Sequence, residues 1–236
     1  KETASYTPPK DLVLESDIMT PEVLWSMNRL GEYAVSPDGK KVVYNLTYFI
    51  IPENKSKTDI YIIDIDGNNN KCLTSSASSE YSPTWNKDGS KILFMCADSG
   101  DMQVWEMNPD GSDRKQVTNV KGGIGSFKYS PDESQLLYNA EVKLKDNVAD
   151  IYPDLPLSSG RINNDLMYRH WDQWVDTYSH IFITADNGET CLDIMKDEMW
   201  EAPVRPWGGM EQIAWTNDGE NILYSCRKKV GKDYAT

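Results

Sequence analysis

A turn-and-strand phrase recurs four times along the chain. It reads SPDGKKVVY from Ser36 to Tyr44, WNKDGSKILF from Trp85 to Phe94, YSPDESQLLY from Tyr129 to Tyr138, and WTNDGENILY from Trp215 to Tyr224. Each copy is a turn rich in Pro, Asp and Gly, followed by an apolar run that ends in an aromatic residue. Asp38, Asp88 and Asp132 are spaced by 50 and 44 residues, and Asp218 follows after 86, close to twice 43. A period in the forties made of strands and turns marks four-stranded blades. The expected fold is therefore all-β, an incomplete β-propeller of four-stranded antiparallel blades with an insert in blade three.

A second element alternates with the first. DIYIIDIDGNNNKCLT (Asp59 to Thr74) aligns with MQVWEMNPDGSDRKQVT (Met102 to Thr118), and both Asp66-Gly67 to Asp110-Gly111 and Thr74 to Thr118 span 44 residues. HIFITADNGETCLDIM (His180 to Met195) is a third copy, with Asp186-Asn187-Gly188 at its turn. Asp-Gly between two strand-forming runs is a strong hairpin signal. Blades are expected at about 30–74, 79–118 and 122–199, with a half blade at 208–236. The inner strands begin near a small residue, as at Gly31, Gly123 and Gly209. An N-terminal extension, 1–28, holds a short helix in MTPEVLWSM, with Thr20 as N-cap and Pro21 at the first helical position. Three and a half blades cannot close a ring, and propellers close to remove their strand edges. The chain is therefore expected to be the N-terminal part of a longer protein.

Composition excludes several classes. A net charge of −13 argues against nucleic acid, whose phosphates call for clustered Lys and Arg, and against an anionic membrane surface. No apolar stretch approaches a membrane span. The four cysteines, Cys72, Cys96, Cys191 and Cys226, contain no CxxC pair, so buried free thiols are expected. No GxSxG nucleophile elbow occurs, and His170 and His180 are the only histidines, so a Ser-His-Asp triad has no support within these residues. His180, at the start of a strand, reads as structural. GGIGS (Gly122 to Ser126) lacks the Gly-Lys pair of a P-loop, and DIDGNNN (Asp64 to Asn70) lacks EF-hand spacing. No cofactor and no metal are expected. The start at Lys1, without an apolar leader, suits either signal-peptide cleavage or a simple chain boundary.

Two sets of residues are candidates for binding. The insert, from about Lys145 to Ser179, matches no repeat and concentrates Tyr168, Arg169, His170, Trp171, Asp172 and Trp174. Loops that break the rule of a repeat commonly line a binding face. Trp beside Arg and Asp suits a charged or amide-bearing ligand; the same tryptophans also suit cover for a neighbouring blade, and the two roles are compatible. The second set is Glu32, Glu80 and Glu211, six to eight positions before their turn aspartates. There they either face a central channel, where a carboxylate pairs with a substrate ammonium, or lie solvated at a rim.

These repeats resemble those of TolB and of the prolyl oligopeptidase family of serine peptidases. LMYRHWDQWVDTYSHIFI (Leu166 to Ile183) and PWGGMEQIAWTNDGENILYSCRKKVGKDYAT (Pro206 to Thr236) are similar to the acylaminoacyl-peptidase and dipeptidyl-peptidase-five branch. The resemblance implies a propeller over a C-terminal α/β-hydrolase domain that carries the triad beyond Thr236, and it implies small peptides as substrates. It also suggests an envelope or periplasmic location. Carboxylates outside the triad hold the substrate's free amino group in dipeptide-releasing members, but no double-glutamate motif is matched here. Glu211, Arg169, Trp171 and Asp172 are the residues expected to touch substrate. Two rival readings are a TolB-like interaction module without catalysis and a propeller lyase acting on acidic sugars, the latter poorly served by two histidines.

Overall fold

The repeated turn builds the same hydrogen-bonded box four times in the computed structural model, which describes residues 16–143, 145–163, 169–170, 173–205 and 207–228. The turn aspartate accepts the backbone N–H two residues on: Lys40 N to Asp38 (3.1 Å), Ser90 N to Asp88 (2.9 Å), Ser134 N to Asp132 (3.0 Å) and Glu220 N to Asp218 (3.0 Å). Two residues earlier, the side chain of Ser36, Asn86, Ser130 or Thr216 accepts the N–H that opens the next strand, at 2.8–3.0 Å. Local side-chain acceptors of this kind fix a turn without help from the rest of the fold.

The chain divides into two compact units, Lys1–Lys121 and Gly122–Thr236. The first opens with helix α1 (Pro21–Ser26), where Thr20 Oγ1 accepts Val23 N at 3.3 Å as the expected N-cap. Strands β1 (Arg29–Val35), β2 (Lys41–Ile50), β3 (Lys55–Asp64) and β4 (Lys71–Cys72) form an antiparallel sheet in sequence order. Strands β5 (Glu80–Trp85), β6 (Ile92–Cys96), β7 (Gln103–Met107) and β8 (Lys115–Gln116) form the next. In the second unit, β9 (Ser126–Tyr129) and β10 (Leu136–Lys143) lead into an insert. The insert holds helix α2 (Val148–Ile151) and a two-stranded ribbon, β11 (Arg169–His170) and β12 (Gln173–Trp174). Strands β13 (Thr177–Thr184) and β14 (Leu192–Asp193) complete the third sheet, in the order β14-β13-β10-β9. A pair, β15 (Ile213–Trp215) and β16 (Ile222–Tyr224), follows. The fold is all-β, an incomplete β-propeller of four-stranded antiparallel blades, and the insert lies between the second and third strands of its blade.

Within each unit one sheet packs face to face on the next. In the first, Val43, Ile60 and Ile62 meet Ile92, Phe94, Cys96 and Met107, with Ala34, Leu73, Trp85 and Trp105 around them. In the second, Leu137, Ile181 and Met195 meet Ile213, with Trp215, Ile222 and Cys226 alongside. Both joints carry the same bond: Trp85 Nε1 donates to Ala34 O (3.1 Å) and Trp215 Nε1 to Lys128 O (3.3 Å). Each tryptophan stands three residues before its turn aspartate, and each carbonyl four before the aspartate of the preceding sheet. The outer strands are two residues long, so the conserved-spacing threonines finish the edge. Thr74 Oγ1 accepts Ile60 N and Thr118 Oγ1 accepts Val104 N, both at 2.9 Å.

Three expectations need correction. Close approach requires Gly125, not Gly123, as the counterpart of Gly31: a Cβ would meet the Asn45 side chain at 1.9 Å at Gly31 and the Asn139 side chain at 2.6 Å at Gly125. All four cysteines are free, but only Cys96 is buried; Cys226 is half-buried, and Cys72 and Cys191 are exposed because short outer strands leave their edges open. His180 lies inside β13 rather than at its start. It is 2% exposed, with Nδ1 2.9 Å from Asp193 Oδ2, which fits its structural reading.

The third turn places Glu133 where the other three place glycine. Gly39, Gly89 and Gly219 have φ of 71°, 75° and 73°, and Glu133 has φ of 61°. A side chain in this left-handed region costs about 1 kcal/mol. Glu133→Gly is therefore expected to stabilise the protein by up to about 1 kcal/mol, read as a raised urea midpoint. The box also predicts an acid transition. Hydrogen bonds from Ser36, Ser90 and Thr216 hold the carboxyls of Asp38, Asp88 and Asp218 below their usual range, and those from Ser130 and Ser134 bring Asp132 to about 2. Depressed folded-state pKa values give stability that is complete above the unfolded carboxyl range and lost as pH falls from about 4 towards 2. Urea midpoints measured across that interval should fall, and Asn at all four positions should flatten the slope.

Candidate functional site

Strand direction decides where the non-repeating segments emerge. β10 runs away from the Asp132 turn and β13 runs back towards the Asp186 turn, so the 144–176 connection leaves from the opposite end of the sheet. The 194–212 connection starts from that end too. Ala202 N donates to Ser179 O at 3.0 Å, and Arg205 Nη2 donates to Thr177 O. Glu201, fully buried, locks this connection: its Oε1 accepts Arg205 N at 2.8 Å and its Oε2 accepts Arg205 Nε at 2.7 Å. Residues 201–205 form no helix, so the i, i+4 spacing of this pair was no signal in the sequence.

The insert is built around paired charges. Asn147 Oδ1 accepts Asp150 N (3.0 Å) and Asp150 Oδ2 accepts Asn147 N (2.7 Å), a capping box that starts α2, and Lys143 pairs with Asp150. A cleft of about 300 Å³ opens beside it, lined by Lys143, Lys145, Asn147, Arg161, Asn163 and Asp176 among others. Asp176 gathers Arg161 and, at 3.5 Å, Lys145. The guanidinium carbons of Arg161 and Arg169 lie 4.3 Å and 5.2 Å from the centre of the Trp174 ring. The indole face thus holds two cations by its quadrupole, without neutralising their capacity to donate hydrogen bonds. Arg161 and Asp176 were missed from sequence because each is an isolated charge until the chain folds back on Trp174.

Of the four residues expected to touch substrate, two are described. Arg169 is in β11, exposed, over Trp174. Glu211 is exposed in a 3-10 turn, Met210–Gln212, and its Oε1 accepts Gly209 N at 2.8 Å. Beside it, Lys128 Nζ donates to Ile213 O at 2.9 Å; burial lowers the Lys128 pKa, and the Glu211 charge opposes that shift. Trp171 and Asp172, with Tyr168, lie outside the described residues. Arg169 and Glu211 therefore sit on connections that share one end of the unit. Among the described residues, no group of three His, Cys, Asp or Glu side chains is placed to hold a metal ion, and no helix is long and apolar enough to cross a membrane.

Glu32, Glu80 and Glu211 do not form an equivalent set. They stand six, eight and seven residues before their aspartates: Glu32 falls within the register shift of β1, Glu80 pairs with Cys96 ahead of the register shift of β5, and Glu211 lies in a 3-10 turn outside any strand. Glu32 is exposed, whereas Glu80 is fully buried. Glu80 accepts from Thr74 Oγ1 (3.2 Å) and Ser76 Oγ, and lies 3.4 Å from Arg114 and 4.0 Å from Lys57. Burial raises its pKa, while the Ser76 hydroxyl and then Lys57 pull the other way. It ties β5 to the first sheet and is not open to a ligand.

Comparison with known proteins places these units. A family model described as TolB beta propeller domain matches residues 24–161, more than half of the chain. The chain is similar to dipeptidyl-peptidase 5 of Porphyromonas endodontalis, 40% identical over 96% of this chain and 33% of that protein. Dipeptidyl-peptidase 5 of Porphyromonas gingivalis is 44% identical over 92% of this chain and 32% of its own length. Among solved structures, an acylaminoacyl peptidase of Pyrococcus horikoshii is 19% identical, with a TM-score of 0.53 over 72% of this chain and 25% of that one, a likeness of fold. The chain spans about a third of the length of the curated relatives it matches.

The Glu80 cluster gives a direct test. Glu80→Ala leaves the buried Thr74 hydroxyl and the Ser76 hydroxyl without this acceptor, while Arg114 keeps Asp98 and Lys57 keeps Asp59, and should destabilise by about 2 kcal/mol. Glu80→Gln keeps an acceptor for one of the two hydroxyls and offers an N–H to the other, and should cost clearly less. Urea denaturation of the two variants separates them.

Proposed function

The chain belongs to the TolB beta propeller domain family, and from that premise we propose that it is the substrate-gating and substrate-binding propeller of a serine exopeptidase that cleaves small peptides. In this reading, which includes dipeptidyl- and acylaminoacyl-peptidase types, the nucleophile, base and orienting acid reside in an α/β-hydrolase domain outside these residues, and this segment alone is inactive. The observation that carries it is 40–44% identity to two dipeptidyl-peptidase 5 proteins over nearly the whole chain, insert included. An extracytoplasmic location accords with the same resemblance.

The chemistry asked of the propeller is selection. A free α-ammonium entering a water-poor cavity must meet a carboxylate, because an unpaired buried charge is costly. Glu211 and Asp172 are the carboxylates proposed for that partnership. Arg169, steadied by Trp174, offers donors for a peptide carbonyl or carboxylate, and Trp171 offers an apolar wall. The connection that carries Glu211 is anchored to β13 through Glu201 and Arg205, so in this reading the length of the bound peptide is measured from Glu211 to the nucleophile. The alternative, a TolB-like partner-binding propeller without catalysis, rests on the family match alone.

In the full-length protein, Arg169→Ala, Trp171→Ala, Asp172→Ala and Glu211→Ala are each expected to raise KM for small peptides by about tenfold or more, with kcat changed less. Unchanged kinetics in all four would relegate the insert and the Glu211 turn to packing. A full-length protein that hydrolyses no dipeptidyl or acylaminoacyl substrate would instead favour the partner-binding alternative.

A further inference from the structure

Two departures from the repeat meet in the second unit. Four residues before the turn aspartate, the inner strands carry Ala34, Thr84, Lys128 and Ala214. Of these, Lys128 alone is long and charged. It pairs with Leu137 as Ala34 pairs with Val43, so both side chains point into a sheet-to-sheet joint. The other departure lies six to eight residues before the aspartate. Strand β5 already runs there, from Glu80, whereas β15 begins only at Ile213 and the 3-10 turn Met210–Gln212 takes the place of those strand residues. Glu211 is the middle residue of that turn.

Lys128 links the two. Its half-buried amine donates to Ile213 O at 2.9 Å and to Met210 O at 3.3 Å, carbonyls that flank Glu211 in the chain. Met210 O also accepts Ile213 N, the bond that closes the turn. In return the Lys128 carbonyl accepts Trp215 Nε1 at 3.3 Å, so the residue holds the next pair of strands through side chain and backbone together. The first joint has the indole bond to Ala34, which has no amine to add. Gln212 secures the turn from another side, where its Oε1 accepts Val204 N at 2.9 Å. An ammonium drawn out of water costs free energy that neutral carbonyls offset only in part, and burial lowers the Lys128 pKa accordingly. Packing of the joint needs no such cation, as Ala34 shows, so the amine answers to the turn that it grips.

We propose that Lys128 is a positioning residue for Glu211: its amine holds the carbonyls of Met210 and Ile213, and so sets where the Glu211 carboxylate meets the free α-ammonium of a peptide. The inference deepens the peptidase reading and rests on it. Lys128 acts through the turn and does not touch substrate. Its charge also opposes a substrate ammonium, but Glu211 is exposed and solvent screens that repulsion. Loss of two hydrogen bonds from a cation is the larger effect.

The test uses the full-length protein and a matched pair of ligands. One is a dipeptidyl substrate with a free amino terminus; the other is its desamino analogue, read as a competitive inhibitor where it is not cleaved. Lys128→Ala, which installs the residue of the first joint, should raise KM for the free-amine substrate by about tenfold, with kcat changed less and the desamino analogue bound within about twofold of wild type. Glu211→Ala should show the same selective loss, and the double variant should be no worse than Glu211→Ala, because nothing is then left to position. Urea midpoints report whether each variant folds; Lys128→Met, which keeps the apolar stem without the amine, replaces Lys128→Ala if that one does not. Selective loss in Glu211→Ala but not in the Lys128 variant overturns this inference and leaves the peptidase reading standing. Equal weakening of both ligands in the Lys128 variant, or a double variant whose losses add, overturns it as well. A Glu211→Ala protein that handles both ligands as the wild type does removes the ammonium site itself, and the inference falls with that reading.

Discussion

A carboxylate that accepts the backbone N–H two residues ahead of it is the constraint on which everything else rests. Through that contact each hairpin is closed at a fixed residue, and the register of its strands follows. Side chains alternate across a strand, so a slip of one residue would send the whole apolar set to the wrong face. Ile92 and Leu93 are neighbours in sequence but belong to opposite faces of their sheet. The interior of each unit is thus a consequence of where four aspartates sit.

Much of this was legible in the residues because it repeats. The turn phrase, the Asp-Gly hairpins and the helix at Thr20-Pro21 are local devices, each needing only its own few residues to form. The residues that required folding to interpret are those whose partners are remote. Arg161 and Trp174 are thirteen positions apart and meet only because the chain doubles back within the insert. The three glutamates ahead of the inner strands looked alike, yet Glu80 opens β5 and is buried beside Arg114 and Lys57, whereas Glu211 lies in a 3-10 turn in solvent. Gly123 and Gly125 differ in the same manner, since only the latter faces an asparagine that leaves no room for a Cβ.

The buried charges show two ways of using an ion pair. Glu80 and Glu201 are both fully buried, and each meets an arginine that also reaches a second group, Cys96 Sγ for Arg114 and Thr177 O for Arg205. Such a pair adds little net stability over an apolar substitute, but it accepts only one arrangement of its neighbours. In the second unit that arrangement holds the 194–212 connection against β13, and so fixes the approach to Glu211. The exposed charges of the insert, gathered on Asp176 and Trp174, are held far more loosely and remain able to exchange partners.

The position of the insert, between the second and third strands, has an evolutionary corollary. One rim of every blade is stitched by short turns whose length is dictated atom by atom, and a single added residue there would undo the stitch. The opposite rim carries no such seam, and β10 and β13 stay in register across eight residue pairs despite a long excursion between them. New sequence can be grafted on that side without the sheet noticing, which makes it the margin along which a lineage of such proteins can change what it recognises while keeping the same body.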